Sequence, residues 1–378
     1  MLFSQIVGHE DIKKKLIQSV KENRIAHAQL FLGPEGTGKL ALAIAYAQYI
    51  NCTNKGENDS CGVCPSCKKF NTLAHPDLHF VFPNASNKTV KTSPESDLFL
   101  TEWREYLESC DCYASLPNWY NAFGCENKQG LINVRDASTI IKKLSLKSYE
   151  AEYKVAIIWM AERFNIEAAN RLLKSLEEPQ EKTLFILISE NQEDLLMTIR
   201  SRTVMMKIPK LTYNEVYDAL IKKFNCGEEC AHNAALLSNG NWILANNYID
   251  NQDEDNLYFS CFQKWMRYCF KFSAPELIDF IANDIKPLGR EKQKEFLSYG
   301  LNMFHNALFI NNGLMNNVFL PENEKNFLKN FAPFISNNNI DLISELFEES
   351  INQIERNGNA SMIFLDDSFK IFNYFKIK

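Results

Sequence analysis

A glycine-rich loop between a strand-like run and a helical run is the feature that most restricts how this chain can fold. Residues 27–32 (HAQLFL) form an apolar run, Gly33-Pro-Glu-Gly-Thr-Gly-Lys39 follows at once, and the alanine-rich residues 40–50 are typical of a buried helix. In the pattern G-x-x-x-x-G-K, backbone N–H groups and a lysine hold phosphate groups between a strand and a helix. We therefore predict a phosphate-binding loop whose contact residues are Gly33, Gly36, Gly38 and Lys39.

Four further apolar runs predict the remaining strands of one sheet. They cover residues 78–82, 155–159, 184–189 and 203–208, and helical segments precede the middle two. Strands that alternate with helices indicate an α/β fold, a parallel sheet with helices on both faces. Beyond Pro209 the apolar spacing is helical, which predicts a small helical domain over residues 210–250 and an all-α domain over residues 251–378.

The residues that would hold a magnesium ion are missing in two places. A serine or threonine is expected directly after Lys39, and Leu40 stands there. The predicted strand 155–159 should end in acidic residues, but Trp159 and Met160 stand there, and Glu162 is out of step by about two positions. Two alternatives stay open for the loop: it still binds ATP without magnesium, or it is kept for structure alone.

Four cysteines, Cys52, Cys61, Cys64 and Cys67, lie within sixteen positions. Glycine and proline between them allow the tight turns that a tetrahedral site with four thiolate ligands requires. Four thiolates leave no open position on the metal, so we predict a structural Zn²⁺ rather than a catalytic one. The other seven of the 11 cysteines lack such spacing and are interpreted as ordinary thiols.

Charge and hydropathy patterning exclude other classes of protein. The 378 residues carry a net charge of -6, which argues against a surface that wraps nucleic acid, because phosphate binding needs a dense basic face. No apolar run reaches the roughly 18–20 residues of a membrane-spanning helix. The N-terminal stretch becomes charged too early for a secretory signal. We therefore expect a cytoplasmic protein without membrane contact.

Taken in order, these motifs resemble the AAA+ clamp-loader family of bacterial DNA polymerase III, and within it the delta-prime subunits. The resemblance covers the phosphate loop, the cysteine cluster, His75-Pro-Asp77, the string AANRLLKSLEEP at 168–179, and Ser201-Arg202. It implies a RecA-like AAA+ domain over residues 1–209 with a zinc-binding insert at 52–67. A lid over residues 210–250 and an oligomerising collar over residues 251–378 are implied to follow.

The resemblance also implies a role within a larger assembly. Arg202 matches the family's arginine finger, which reaches the ATP of a neighbouring subunit. In the sequence itself, a short helix is predicted over residues 193–199, just before Arg202. The implied partners are the gamma/tau ATPases and the delta subunit in a pentameric ring, with the sliding clamp and primer-template DNA contacted through the complex. The expected function is that of a non-hydrolysing subunit of the DNA polymerase III holoenzyme, without ATPase activity of its own.

The sequence departs from the family pattern at three points. Thr203 stands where the family has cysteine, residues 93–130 form a longer stretch than expected, and Asn241-Trp242-Ile243 lacks an ATP-sensing arginine. The aromatic residues of the long stretch either pack on the domain or dock a partner. Two other functions stay open: a working AAA+ ATPase of the gamma/tau type, and a zinc-ribbon protein that contacts DNA. The second is disfavoured because loop 53–60 is not basic.

Overall fold

Five strands form one parallel sheet. They are β1 (Ala28–Leu32), β2 (Leu78–Val81), β3 (Lys154–Trp159), β4 (Thr183–Ser189) and β5 (Val204–Lys207). Their order across the sheet is β2-β3-β4-β1-β5, and each neighbouring pair is parallel. Each strand matches a run predicted from the sequence. Strands β1, β3 and β4 are buried along their whole length, and burial on both faces needs a nearly continuous apolar run. Strand β5 lies at the edge of the sheet and is only partly buried.

Helices cover both faces of the sheet, which confirms the predicted α/β architecture. The helices are α1 (Glu10–Lys21), α2 (Lys39–Asn51), α3 (Pro65–Asn71), α4 (Leu100–Ser109), α5 (Leu116–Ala122), α6 (Val134–Ser145), α7 (Ile166–Glu177), α8 (Met197–Arg200), α9 (Tyr213–Phe224), α10 (Glu228–Leu237) and α11 (Trp242–Asp250). Successive side chains of a strand point to opposite faces. Leu30 of β1 packs with the apolar sides of α6 and α7, whereas the neighbouring Gln29 donates a hydrogen bond to the Tyr46 hydroxyl of α2.

The sequence predicts a helix over residues 193–199, and the predicted first residue is wrong. Helix α8 starts only at Met197. The Asn191 side chain accepts the backbone N–H of Glu193 at 3.0 Å and donates to Asp194 at 2.8 Å. An asparagine that bonds to nearby backbone in this way offers the chain a turn in place of a helix.

The chain divides into two compact units, Met1–Asn247 and Tyr248–Lys378. This computed structural model describes residues 1–125, 130–224, 226–250, 252–314 and 320–377. Every described element of the second unit is helical, and its α-helices are α12 (Gln252–Lys271), α13 (Ala274–Phe280), α14 (Arg290–Asn311), α15 (Glu322–Phe331), α16 (Ile340–Glu355) and α17 (Ala360–Tyr374). Among the described residues, no helix is long and apolar enough to cross a membrane. The predicted division into three domains, with boundaries after residues 209 and 250, stays a prediction.

A carboxylic acid is buried in the helical core of the second unit. Asp367 of α17 is 1% exposed, and its Oδ1 accepts a hydrogen bond from Ser350 Oγ at 2.9 Å. Its Oδ2 has no hydrogen-bond partner within the described part of the chain. Burial, together with the nearby Asp366 and Glu349, raises the pKa of Asp367 from 3.8 to about 7. The folded unit therefore favours the protonated acid.

We expect Asp367→Asn to stabilise the second unit at pH 8 but not at pH 4. The folded state binds this proton more tightly than the unfolded state, so stability is lost as the pH rises from 3.8 towards about 7. That pKa change corresponds to about 4 kcal/mol, and a gain of about 1–3 kcal/mol is expected because a buried amide leaves its own N–H groups unpaired. Denaturant unfolding at both pH values tests this. Asp279→Asn, at an exposed position of α13, is the control, and an equal gain from Asp367→Asn at both pH values would contradict the assignment.

Candidate functional site

The glycine-rich loop lies where the sequence predicts, between β1 and α2. Gly36 and Gly38 adopt φ values of 73° and 79°, in the left-handed region that favours glycine, and Lys39 is the first residue of α2. The structure thus brings the four predicted contact residues together at the carboxyl end of β1.

Three other segments of the chain close this loop. A Cβ atom at Gly36 would be 1.8 Å from Asn241 Oδ1, and the Trp242 N–H donates to the Gly36 carbonyl at 3.0 Å. A Cβ at Gly38 would be 3.0 Å from the Tyr113 ring. His9 Nε2 lies 2.8 Å from the Thr37 carbonyl oxygen and must donate, because a carbonyl only accepts. Gly36, Thr37 and Gly38 are consequently buried by groups of the protein itself.

The amine of Lys39 is satisfied by the protein itself. Its side chain is 5% exposed, and Nζ donates to the Pro34 carbonyl at 2.5 Å and lies 3.8 Å from Glu190 Oε1. Burial lowers the pKa of Lys39, against the opposing charges of Glu190, Glu162 and Glu35. Burial likewise raises the pKa of Glu190, which Lys39 partly offsets. A carboxylate thus faces the amine that would pair with phosphate.

Buried apolar side chains occupy the positions where a magnesium site needs oxygen ligands. Leu40 is buried at the start of α2, and β3 ends in the buried Trp159, with Met160 after it. Hard cations of this kind take oxygen ligands, so these side chains cannot hold one. Glu162, which is out of step with the expected acidic pair in the sequence, lies near enough to Lys39 for their charges to interact. Its Oε1 accepts the backbone N–H of Glu190 at 3.0 Å.

The four cysteines form a compact cluster that could hold a metal ion. Their Sγ atoms all lie within 4.8 Å of one another, with Cys52 and Cys61 at 3.6 Å and Cys61 and Cys67 at 3.9 Å. Sulfurs placed tetrahedrally about 2.3 Å from a metal are about 3.8 Å apart, whereas disulfide sulfurs are about 2.05 Å apart. Backbone N–H groups of Cys64 and Cys67 donate to the preceding sulfurs. This donor set fits a tetrahedral, thiolate-binding metal.

Arg202 lies just beyond α8 and pairs with the last residue of α7. Its Nε donates to Glu177 Oε1 at 2.5 Å, and Nη1 donates to the Thr198 carbonyl at 2.9 Å. The Arg202 side chain is 31% exposed. The guanidinium is therefore accessible, and its orientation is fixed by two neighbouring helices.

The aromatic residues of the long stretch pack on the domain. Trp103 and Trp119 are fully buried, with ring centroids 4.3 Å and 5.0 Å from that of Phe82. Trp103 also lies 5.1 Å from Trp159 at the end of β3. Tyr113 reaches the phosphate loop from the same stretch, and its hydroxyl accepts the Val7 N–H at 3.0 Å. These aromatic side chains therefore pack on the domain, which is one of the two alternatives that the sequence leaves open for them.

A family model described as "DNA polymerase III, delta subunit" matches residues 8–212, more than half of the chain. The chain belongs to this DNA polymerase III delta subunit family. It is 29% identical over 228 residues to the DNA polymerase III subunit delta' of Bacillus subtilis (strain 168), and 26% identical over 220 residues to subunit tau of the same organism. These alignments cover 60% and 58% of this chain, and 54% and 31% of the relatives. The family member thus matches about half of the first relative's length.

Among solved structures, the family member is similar to a DNA polymerase III gamma subunit-related protein from Thermotoga maritima. The TM-score is 0.42 at 13% sequence identity, over 96% of this chain and 99% of that chain.

Proposed function

We propose that the chain is a non-hydrolysing, delta-prime-type subunit of a clamp loader that helps to place the sliding clamp on primed DNA during replication. Family membership supports the assembly. The observation that carries the absence of hydrolysis is the lost magnesium site. Leu40 directly after the phosphate loop, and Trp159 and Met160 at the end of β3, stand in place of oxygen ligands. The Lys39 amine is also bonded to the Pro34 carbonyl. Such a loop supports a structural role more than ATP binding.

The proposal assigns roles to the other predicted residues and partners. Arg202 is the arginine finger for ATP bound by a neighbouring gamma/tau subunit, in a pentameric ring that also holds delta. Cys52, Cys61, Cys64 and Cys67 hold a structural Zn²⁺, which supplies a cross-link and no chemistry. Clamp and primer-template DNA are contacted through the complex, in the cytoplasm. Residues 1–209, 210–250 and 251–378 act as AAA+ domain, lid and collar.

ATP hydrolysis measured with and without this chain tests the proposal. The purified chain should hydrolyse no ATP in the presence of magnesium, and the Lys39→Ala variant should give the same result. A complex reconstituted from gamma/tau and delta should gain DNA-stimulated ATPase and clamp loading when this chain is added. Hydrolysis by the purified chain that disappears in Lys39→Ala would instead favour a working ATPase of the gamma/tau type.

A further inference from the structure

We propose that Glu177 is a positioning residue that orients the Arg202 guanidinium towards the neighbouring subunit's ATP. This inference rests on the arginine-finger role proposed above. Glu177 is the last residue of α7, and its Oε1 accepts from both Nε and Nη2 of Arg202. The Thr198 carbonyl of α8 accepts from Nη1 at 2.9 Å. Two separate helices thus anchor one planar group.

These anchors leave a defined part of the guanidinium for a ligand. The group carries five N–H donors in one plane. Glu177 takes the edge formed by Nε and Nη2, and Thr198 takes one N–H of Nη1. The remaining Nη1 contact, to Ser201 Oγ, is long at 3.3 Å and easily exchanged. The end of the group between Nη1 and Nη2 is therefore the part presented to phosphate oxygens, which bind arginine through two parallel N–H groups.

Stability alone does not account for this ion pair. Glu177 is 48% exposed and Arg202 is 31% exposed, and ion pairs this accessible contribute little to folding stability. An unrestrained arginine side chain, however, loses rotamer entropy when it is fixed, and arginine is among the side chains that lose most. Holding the side chain in place before ATP arrives removes that cost from the hydrolysis step. Without Glu177 this entropy cost returns to the hydrolysis step, and we expect about a 10-fold lower rate at the neighbouring site, which corresponds to about 1.4 kcal/mol of barrier.

Single-turnover ATP hydrolysis by the reconstituted complex tests the inference. Glu177→Ala should slow the neighbouring site about 10-fold in kcat, with little change in the KM for ATP. Glu177→Gln keeps an acceptor oxygen and should restore the rate to within about 3-fold of the unmodified complex. Glu178→Ala, which removes the same charge from the adjacent exposed position, is the control and should leave the rate unchanged. Adding Glu177→Ala to Arg202→Ala should slow the reaction no further.

The outcomes separate this inference from the proposed function. If Arg202→Ala slows hydrolysis but Glu177→Ala does not, the positioning role is wrong and the arginine finger stands. A faster rate in Glu177→Ala would also overturn it, because Glu177 would then be competing with phosphate for Arg202. If Arg202→Ala has no effect, both proposals fail. Thermal unfolding and assembly on a sizing column confirm that each variant enters the complex.

Discussion

Replacing Arg202 with alanine is expected to slow ATP hydrolysis at the adjoining gamma/tau site by about 10³-fold, because an arginine supplied in trans stabilises the charge that develops on the transferred phosphoryl group. The chain itself should fold normally. Arg202 is partly exposed and its ion pair with Glu177 lies at the surface, so its loss costs about 1 kcal/mol or less. The effect should therefore appear only in the assembled complex.

In the proposed ring, ATP sites that do not adjoin this chain would not depend on Arg202, so the measurement must resolve one slow site among faster ones. Single-turnover phosphate release does this, and Arg202→Ala should remove one site's share of the fast phase. Arg202→Lys keeps the charge without the planar fork and should restore the rate only in part. Arg200→Ala, the same charge loss at the end of α8, is the control. A fast phase of full amplitude in Arg202→Ala would contradict the arginine-finger role.

The parts of the fold that could be predicted from sequence are those that local patterns encode. Strand β4 is buried along its whole length, so its residues form an apolar run that is visible without a structure. The phosphate loop could be located because Gly36 and Gly38 must take positive φ between a strand and a helix. The metal-binding potential of the cysteines follows from spacing alone, since all four ligands lie close together in the chain.

The contacts that could not be predicted join residues far apart in sequence. Asn241 and Tyr113 close the phosphate loop from more than 70 positions away, and no local pattern encodes such an approach. Glu177 as the partner of Arg202 depends on how α7 and α8 pack. Glu190 did carry a usable signal: it directly follows β4, and the carboxyl ends of parallel strands meet at one edge, beside the Lys39 loop.

Removing the metal from the cysteine cluster is expected to unfold the insert and loosen the N-terminal segment that packs on it. Cys52 directly follows the last residue of α2 and Cys64 directly precedes α3, so the metal would tie two helices together through the loop between them. Within that loop, the Asp59 carboxylate accepts the N–H groups of Phe3 at 3.0 Å and Ser4 at 2.9 Å. Without the cross-link, the chain entropy of the loop opposes these contacts.

We expect the purified protein to contain about one zinc per chain, and Cys64→Ser to lose it. A structural zinc contributes several kcal/mol to folding, so chelation or Cys64→Ser should lower the melting temperature of the first unit by about 10 °C. Elemental analysis and thermal unfolding with and without chelator measure both effects. Cys110→Ser, outside the cluster, is the control and should keep its zinc. Two results would show that the cysteines do not bind metal. One is zinc-free protein whose melting temperature is the same with and without chelator. The other is a protein mass lower by two hydrogens for each disulfide formed.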